Sequence, residues 1–175
     1  CMLKSPQKRR LYRQQFNEAE MAVQGFQETR VQKEGVRTEG NVVVVSSSAN
    51  EAGSYGCELW FSTLIPLAVR GAMEIKVREQ KVLVSEPRTL VVEVNTRGVS
   101  VVFGVAHAPH FDSAGAYQWW SNFQVQWVKV AGNKTHLLMI DANVQVARGI
   151  EGCVGQLAHK KGTRLTHCFE KLLKA

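Results

Sequence analysis

The chain reads as an α/β layered domain, and three observations predict it. Short apolar runs of strand length, rich in valine, recur along it; amphipathic stretches with helical spacing stand near its start, after Pro109 and at its end; and three of the apolar runs stop at a polar motif. Apolar runs of that length fit strands covered on both faces, and the order helix, strands, helix, strand, helix supplies the covering elements. With 175 residues, 45% of them hydrophobic and 21% charged, the chain is long enough to bury one real core and gives no sign of a second domain.

From Pro6 to Ala19 the apolar residues Leu11, Tyr12, Phe16 and Ala19 recur among Lys, Arg, Gln and Glu, predicting an amphipathic helix opened by Pro6 and laid on a sheet. Met21 to Gln27 follows as a buried strand ending at Glu28. Asn41 to Ser46, with its run of valines, is another, reached through a Gly-bounded polar turn. Ser46 to Gly56 is a Ser/Gly/Asn-rich loop. Strands are then expected over Gly56 to Ser62, near Glu74 to Val77, and over Lys81 to Val84, Thr89 to Val94 and Val99 to Ala106, separated at Pro66, Gly71, Pro87 and the Thr96-Arg97-Gly98 turn. After Pro109, Asp112 or Ser113 is placed to cap a helix running to about Val130, whose wide apolar face carries Trp119, Trp120, Phe123 and Trp127. At that spacing the aromatics are better read as core than as a platform for nucleic-acid bases. His136 to Ile140 is the strand that delivers Asp141. A Gly-rich stretch from Gly149 to Gly155 leads to a last helix, with Thr163 as its cap and Leu165, Cys168, Phe169, Leu172 and Leu173 on one face.

Charge and composition narrow the function. A formal charge of +7 points to a polyanionic partner, because a positive field speeds encounter with phosphates and gives sequence-independent affinity. Lys8-Arg9-Arg10 with Arg13 is the sharpest basic cluster, and Lys160, Lys161, Arg164, Lys171 and Lys174 form a second; each is either a solvated helix face or a nucleic-acid contact. The four cysteines, Cys1, Cys57, Cys153 and Cys168, are scattered and point to a reducing compartment. Cys153, His159, His167 and Cys168 match no usual zinc spacing, so helix packing is the better account of them. No apolar stretch approaches the roughly twenty residues of a membrane helix, and the basic start lacks the apolar core of a signal peptide. The expected setting is intracellular, nuclear or cytoplasmic; the sequon Asn133-Lys134-Thr135 carries meaning only in secretion. No Gly-rich phosphate loop accompanies the strand before Asp141, and no Gly-x-Ser-x-Gly elbow occurs, which excludes a P-loop nucleotide hydrolase and a serine-hydrolase elbow.

The chemistry lies in the three strand-end motifs: Gln27-Glu28-Thr29-Arg30, Val105-Ala106-His107-Ala108-Pro109-His110 and Met139-Ile140-Asp141-Ala142-Asn143. A polar group where a buried strand stops stands at the rim of the core, where ligands of open α/β sheets collect. Carboxylates beside an Asp-x-Asn pair offer hard oxygen ligands suited to magnesium, while an imidazole and an amide can hold phosphate oxygens. In that order the motifs resemble the endonuclease/exonuclease/phosphatase superfamily, which includes deoxyribonuclease, exonuclease III-like enzymes and retrotransposon-type endonuclease domains. Gly56-Cys57-Glu58-Leu59-Trp60-Phe61 is similar to the Gly-rich strand that the retrotransposon type carries between the first two motifs.

The resemblance implies a four-layer sandwich of two mixed β-sheets with flanking helices, and magnesium-dependent hydrolysis of DNA phosphodiesters, with manganese an alternative ion. It assigns Glu28 to the metal, Asp141 to orienting or deprotonating water, and Asn143 and His107 to the phosphate, with Arg30 and His110 on the substrate side. The family's opening strand with its metal-site Asn and its closing Ser-Asp-His are not found. Ile140 and Ala142 replace the family's Gly and Phe. The expectation is therefore a single, partial domain, monomeric, binding DNA or another nucleic acid but hydrolysing it feebly or not at all. The alternatives are a non-catalytic nucleic-acid-binding remnant and a phosphatase of the same superfamily acting on a small or lipid phosphate. The alternative for Glu28 and Asp141 is a solvated strand-end carboxylate, and for His107 a satisfied core histidine.

Overall fold

Of the four successive valines Val42 to Val45, three are buried and Val43 is partly buried, with Val42 and Val44 on one side of their strand and Val43 and Val45 on the other, so both faces of the strand are covered. A computed structural model describes residues 3–70, 73–75, 77, 79–96, 99–144 and 165–173. These form α1 (Pro6–Glu18), β1 (Val23–Gln27), β2 (Gly35–Glu39), β3 (Val42–Ser46), β4 (Cys57–Ser62), β5 (Ala68–Arg70), β6 (Met73–Ile75), β7 (Glu79–Glu86), β8 (Thr89–Asn95), β9 (Ser100–His107), α2 (Ala116–Ala131), β10 (Thr135–Asp141) and α3 (Thr166–Leu173). One four-stranded sheet runs β1-β4-β3-β2, another β10-β9-β8-β7, and β5 and β6 pair by themselves. Two four-stranded sheets and three helices make an α/β sandwich.

The chain divides into two compact units, one of Cys1–His107 with Asn133–Ile140, the other of Ala108–Gly132 with Asp141–Ala175. In the first unit, Val45, Cys57, Leu59 and Phe61 of one sheet meet Leu90, Val92, Val94, Phe103 and Val105 of the other. Burial of each such side chain contributes about 1.5–3 kcal/mol, and this interface is the principal core. Gly25 of β1 sits directly against Val105 and Met139 of the other sheet. A Cβ on it would lie 2.5 Å from Val105 Cγ2 and 3.0 Å from Met139 Sδ.

On the opposite face of the first sheet, Phe16 of α1 packs with Leu3, Phe26, Val42, Val44 and Trp60. Strand alternation puts Glu58 on this face between Cys57 and Leu59, and its side chain is fully buried. Arg9 grips it in two parallel bonds of 3.1 and 2.9 Å, Arg37 Nη2 donates at 3.0 Å, and Trp60 Nε1 at 2.7 Å. Both arginines also bind Glu39, which Arg13 approaches at 3.5 Å. Burial alone would lower the Arg9 pKa, but hydrogen bonds and charge from Glu58 and Glu39 outweigh it and the net direction is up. The inward-facing stripe of α1 is thus buried Phe16 with half-buried Arg9, Tyr12 and Arg13. Leu11, expected on the apolar face, is 52% exposed, and Ala19 lies beyond the helix in solvent. Part of the first basic cluster is a counter-charge for buried acid, which neither sequence reading of it anticipated; Lys8 and Arg10 are exposed.

Several expectations are corrected. The polar turn before β3 contains a strand, β2, paired with β3 from Gly35↔Ser46 to Glu39↔Val42 around a hairpin at Gly40, whose φ of 64 suits glycine. β5 was also not foreseen. Every pairing in the first sheet is antiparallel, so the mixed strand directions expected of both sheets are not met there, since β3 folds straight back on β2 and on β4. In the second unit, α2 is opened by Gly115 in a left-handed conformation with no side-chain cap; neither Asp112 nor Ser113 caps it, although the Ser113 carbonyl accepts from Ala116 N. Trp120, Phe123 and Trp127 are buried as expected, Trp119 is half-buried and stacks on Phe123 at 5.0 Å, and Phe169 of α3 meets Trp120 edge-on at 6.0 Å.

Thr163, Cys1, Cys153, His159, the 149–155 stretch and most of the second basic cluster lie outside the described residues. Cys57 and Cys168 are free and buried; burial pushes the Cys57 thiol up to about 12. No helix among the described residues is long and apolar enough to cross a membrane.

Candidate active site

β1 ends at Gln27, whose amide donates to the Met139 carbonyl at 3.3 Å and ties that strand end to β10. Glu28 comes next with φ of 53, Arg30 follows with φ of 57, and across from them Tyr55 has φ of 68 and Gly56 φ of 85. Left-handed conformations cost non-glycine residues about 1 kcal/mol or more each and persist only where surroundings impose them. Here the imposing bonds are Thr29 N to Gly56 O at 3.1 Å and Arg30 N to Tyr55 O at 2.7 Å. Gly56 admits nothing larger, because an added Cβ would lie 2.8 Å from Thr29 Oγ1.

His107 closes β9. Its N–H donates to the Arg88 carbonyl at 2.9 Å and its own carbonyl accepts from Arg88 Nη1 at 3.0 Å. The imidazole Nδ1 lies 3.9 Å from Glu28 Oε1, with the two side chains 12% and 41% exposed. The structure therefore brings the first and second motifs together at the ends of strands from facing sheets. Two neighbours escaped the sequence reading. Tyr55 sits with its ring centroid 6.2 Å from that of His107, and the Arg88 guanidinium lies 3.7 Å over the Tyr55 ring, a cation–π stack that braces the His107 backbone. Nothing in the sequence flags them, because the pairing of β8 with β9 that sets Arg88 beside His107 is not visible in either segment alone.

In the second unit the third motif is a tight turn. Asn143, at φ 47, donates its backbone N–H to Asp141 Oδ1 at 3.2 Å and its side-chain amide to the Ala108 carbonyl at 2.7 Å, while Ala108 N donates to the Asp141 carbonyl at 2.9 Å. Asp141 is exposed and Asn143 half-buried. His110 is exposed, with Nδ1 4.0 Å from Asp112 Oδ2. Arg30 is exposed and lines a cavity with Lys33 and Arg37 in the first unit.

Among the described residues, no three His, Cys, Asp or Glu side chains form a ready cluster for a metal. Magnesium does not demand one, since it keeps several waters and is commonly held by one or two carboxylates. Glu28, accessible and anchored on both sides by backbone bonds, fits that donor set. His167 and Cys168 touch at 3.3 Å, as helix neighbours.

No protein-family model and no curated protein matches the sequence. Among solved structures, the chain is similar to the endonuclease domain of TRAS1, a telomere-specific non-LTR retrotransposon, with a TM-score of 0.54 at 13% identity, over 90% of this chain. The fold is endonuclease-like. The chain spans 61% of that domain's length, and at this identity the likeness concerns architecture rather than chemistry.

Proposed function

We propose that the chain is a magnesium-dependent, endonuclease-like phosphodiesterase domain acting on DNA. The observation that carries this reading is the Glu28–His107 pair, a carboxylate and an imidazole 3.9 Å apart on strained and braced strand ends. Glu28 would hold the divalent ion, which supplies a positive charge against the one that builds on a phosphate during hydrolysis. His107, with Nδ1 toward Glu28, would contact a phosphate oxygen. Asp141 would accept a proton from water or orient it, and Asn143 would donate its second amide hydrogen to the phosphate. Arg30 and His110 would meet the substrate. The fold likeness and the formal charge of +7 support the same direction.

The test is nicking of supercoiled plasmid, in which a single cut per molecule is counted, so feeble hydrolysis is readable. Glu28→Ala and Asp141→Ala are each expected to slow magnesium-dependent nicking at least ~100-fold, within the range seen when one transition-state charge partner is removed. Nicking that persists in chelator or in both variants, or no nicking with any divalent ion, overturns the reading. Binding without hydrolysis is the second reading, and the charge is the observation that favours it.

A further inference from the structure

We propose that the cavity between the start of α1, the Arg30–Lys33 loop and β2 seats a backbone phosphate of the nucleic-acid strand. The cavity, of about 370 Å³, is lined by five cationic residues, Lys4, Arg9, Arg30, Lys33 and Arg37, against one carboxylate, Glu39. Its floor is already balanced: Arg9 and Arg37 neutralise Glu39 and buried Glu58. The rim is not. Among the described residues no carboxylate pairs with Lys4, Arg30 or Lys33. Positive charge in a concave site lined by protein concentrates field on an anion more than the same charges spread on a flat face. Arg9 and Arg37 also keep N–H groups that their bonds to Glu39, Glu58 and Ser46 do not use.

The site is built rather than assembled on demand. Arg30 N is bonded to Tyr55 O, Val31 O accepts from Ala49 N, and the carbonyls of Lys33 and Gly35 accept from Ser46 Oγ, so the loop is held to the sheet along its length. Leu3, beside Lys4, is buried against Phe16 and Trp60. A polymer suits the position better than a free anion. Arg30 lies two residues beyond Glu28, a reach of at most about 7 Å, on the order of one phosphate-to-phosphate step along an extended nucleic-acid strand. A strand whose phosphate meets an ion at Glu28 would then have a neighbouring phosphate within reach of Arg30 on the cavity rim. This inference rests on the proposed function only for that alignment.

The test uses the full chain in chelator, where hydrolysis is silent, and follows a fluorescent single-stranded DNA oligonucleotide by anisotropy. The double variant Lys4→Ala/Lys33→Ala removes two exposed cations whose side chains make no bond in the described structure, so folding, checked by circular dichroism, is expected to be intact. Its Kd should rise about tenfold, and the slope of log K against log salt should shrink by about 1.4, as for the loss of two charge contacts to a single strand. Charge reversal at both positions should weaken binding further. An unchanged Kd and slope overturns the proposal. So does displacement of the oligonucleotide by millimolar inorganic phosphate or a nucleoside monophosphate, which would assign the cavity to a free phosphate. A chain that never nicks DNA yet shows the tenfold effect loses the proposed hydrolysis and keeps this site; a chain that nicks DNA without the effect does the reverse.

Discussion

Glu58 shows what one residue can impose on its neighbours. A fully buried carboxylate is tolerable only with its charge matched, and Arg9, Arg37 and the Trp60 indole together supply that match. Glu58→Ala leaves two guanidinium groups crowded without their shared acceptor and is expected to cost about 3–5 kcal/mol, read as a shift of the urea midpoint. A loss below about 1 kcal/mol would mean that the arginines swing out to water. Glu39 adds a pH dependence. Burial pushes its pKa up, but hydrogen bonds and charge from Arg9 and Arg37 win, and the net value falls below 4.5. A carboxyl with a depressed folded pKa contributes stability that is present above 4.5 and is lost as pH falls through the folded value. Glu39→Gln should therefore be less stable than the parent at pH 7 and lose less on acidification below pH 4.5, which urea titrations at successive pH values would show. None of this network was legible in the sequence, because it joins residues up to 49 positions apart that only strand register brings together.

Among the elements, those with an apolar run were readable: β1, β3 and β4 fall within their expected segments, β8 and β9 overrun theirs by one residue at one end, and β10 by one residue at each end. β2 was missed because Gly35-Val36-Arg37-Thr38-Glu39 is an edge strand with polar residues, three of whose five positions are exposed, so the burial that gives a strand its signal is absent. The start of α2 was misplaced because Asp112 and Ser113 look like caps while Gly115, at φ 77, turns the chain without one. The site motifs were readable as polar residues at strand ends. The left-handed backbone at Glu28, Arg30 and Asn143, and the Tyr55–Arg88 brace, were not, because they depend on cross-strand bonds. One prediction belongs to the contact between sheets. Gly25→Ala puts a Cβ within 2.5 Å of Val105 Cγ2, so the sheets must part or Val105 must change rotamer, at about 1–3 kcal/mol. Val105→Ala in the same chain removes the clashing atom. If the close approach is the cause, the double variant will be more stable than the sum of the two single losses, whereas strict additivity would place the cost elsewhere.

At the scale of the whole molecule the governing quantity is charge, +7 on 175 residues, set against the carboxylates that the proposed site places near a phosphate. Arg9, Arg13, Arg37 and Lys134 are spent on Glu39, Glu58 and Glu93, so the attraction for a polyanion comes from the remaining cations, including the cavity rim. In chelator, with no divalent ion supplied, the carboxylates of Glu28 and Asp141 add negative charge to the proposed site. Wherever bound DNA passes within a Debye length of them, about 8 Å at physiological salt, they repel it. Glu28→Ala and Asp141→Ala should then each tighten DNA binding a few-fold in chelator at low salt, the gain fading as salt is raised, while the same substitutions remove nicking when magnesium is present. Opposite effects of one substitution on binding and on cleavage are difficult to obtain from a general loss of structure, which weakens both. Binding that is salt-sensitive but indifferent to both substitutions would place the DNA on a surface remote from the strand-end motifs, and would leave a basic nucleic-acid-binding sandwich in place of a nuclease.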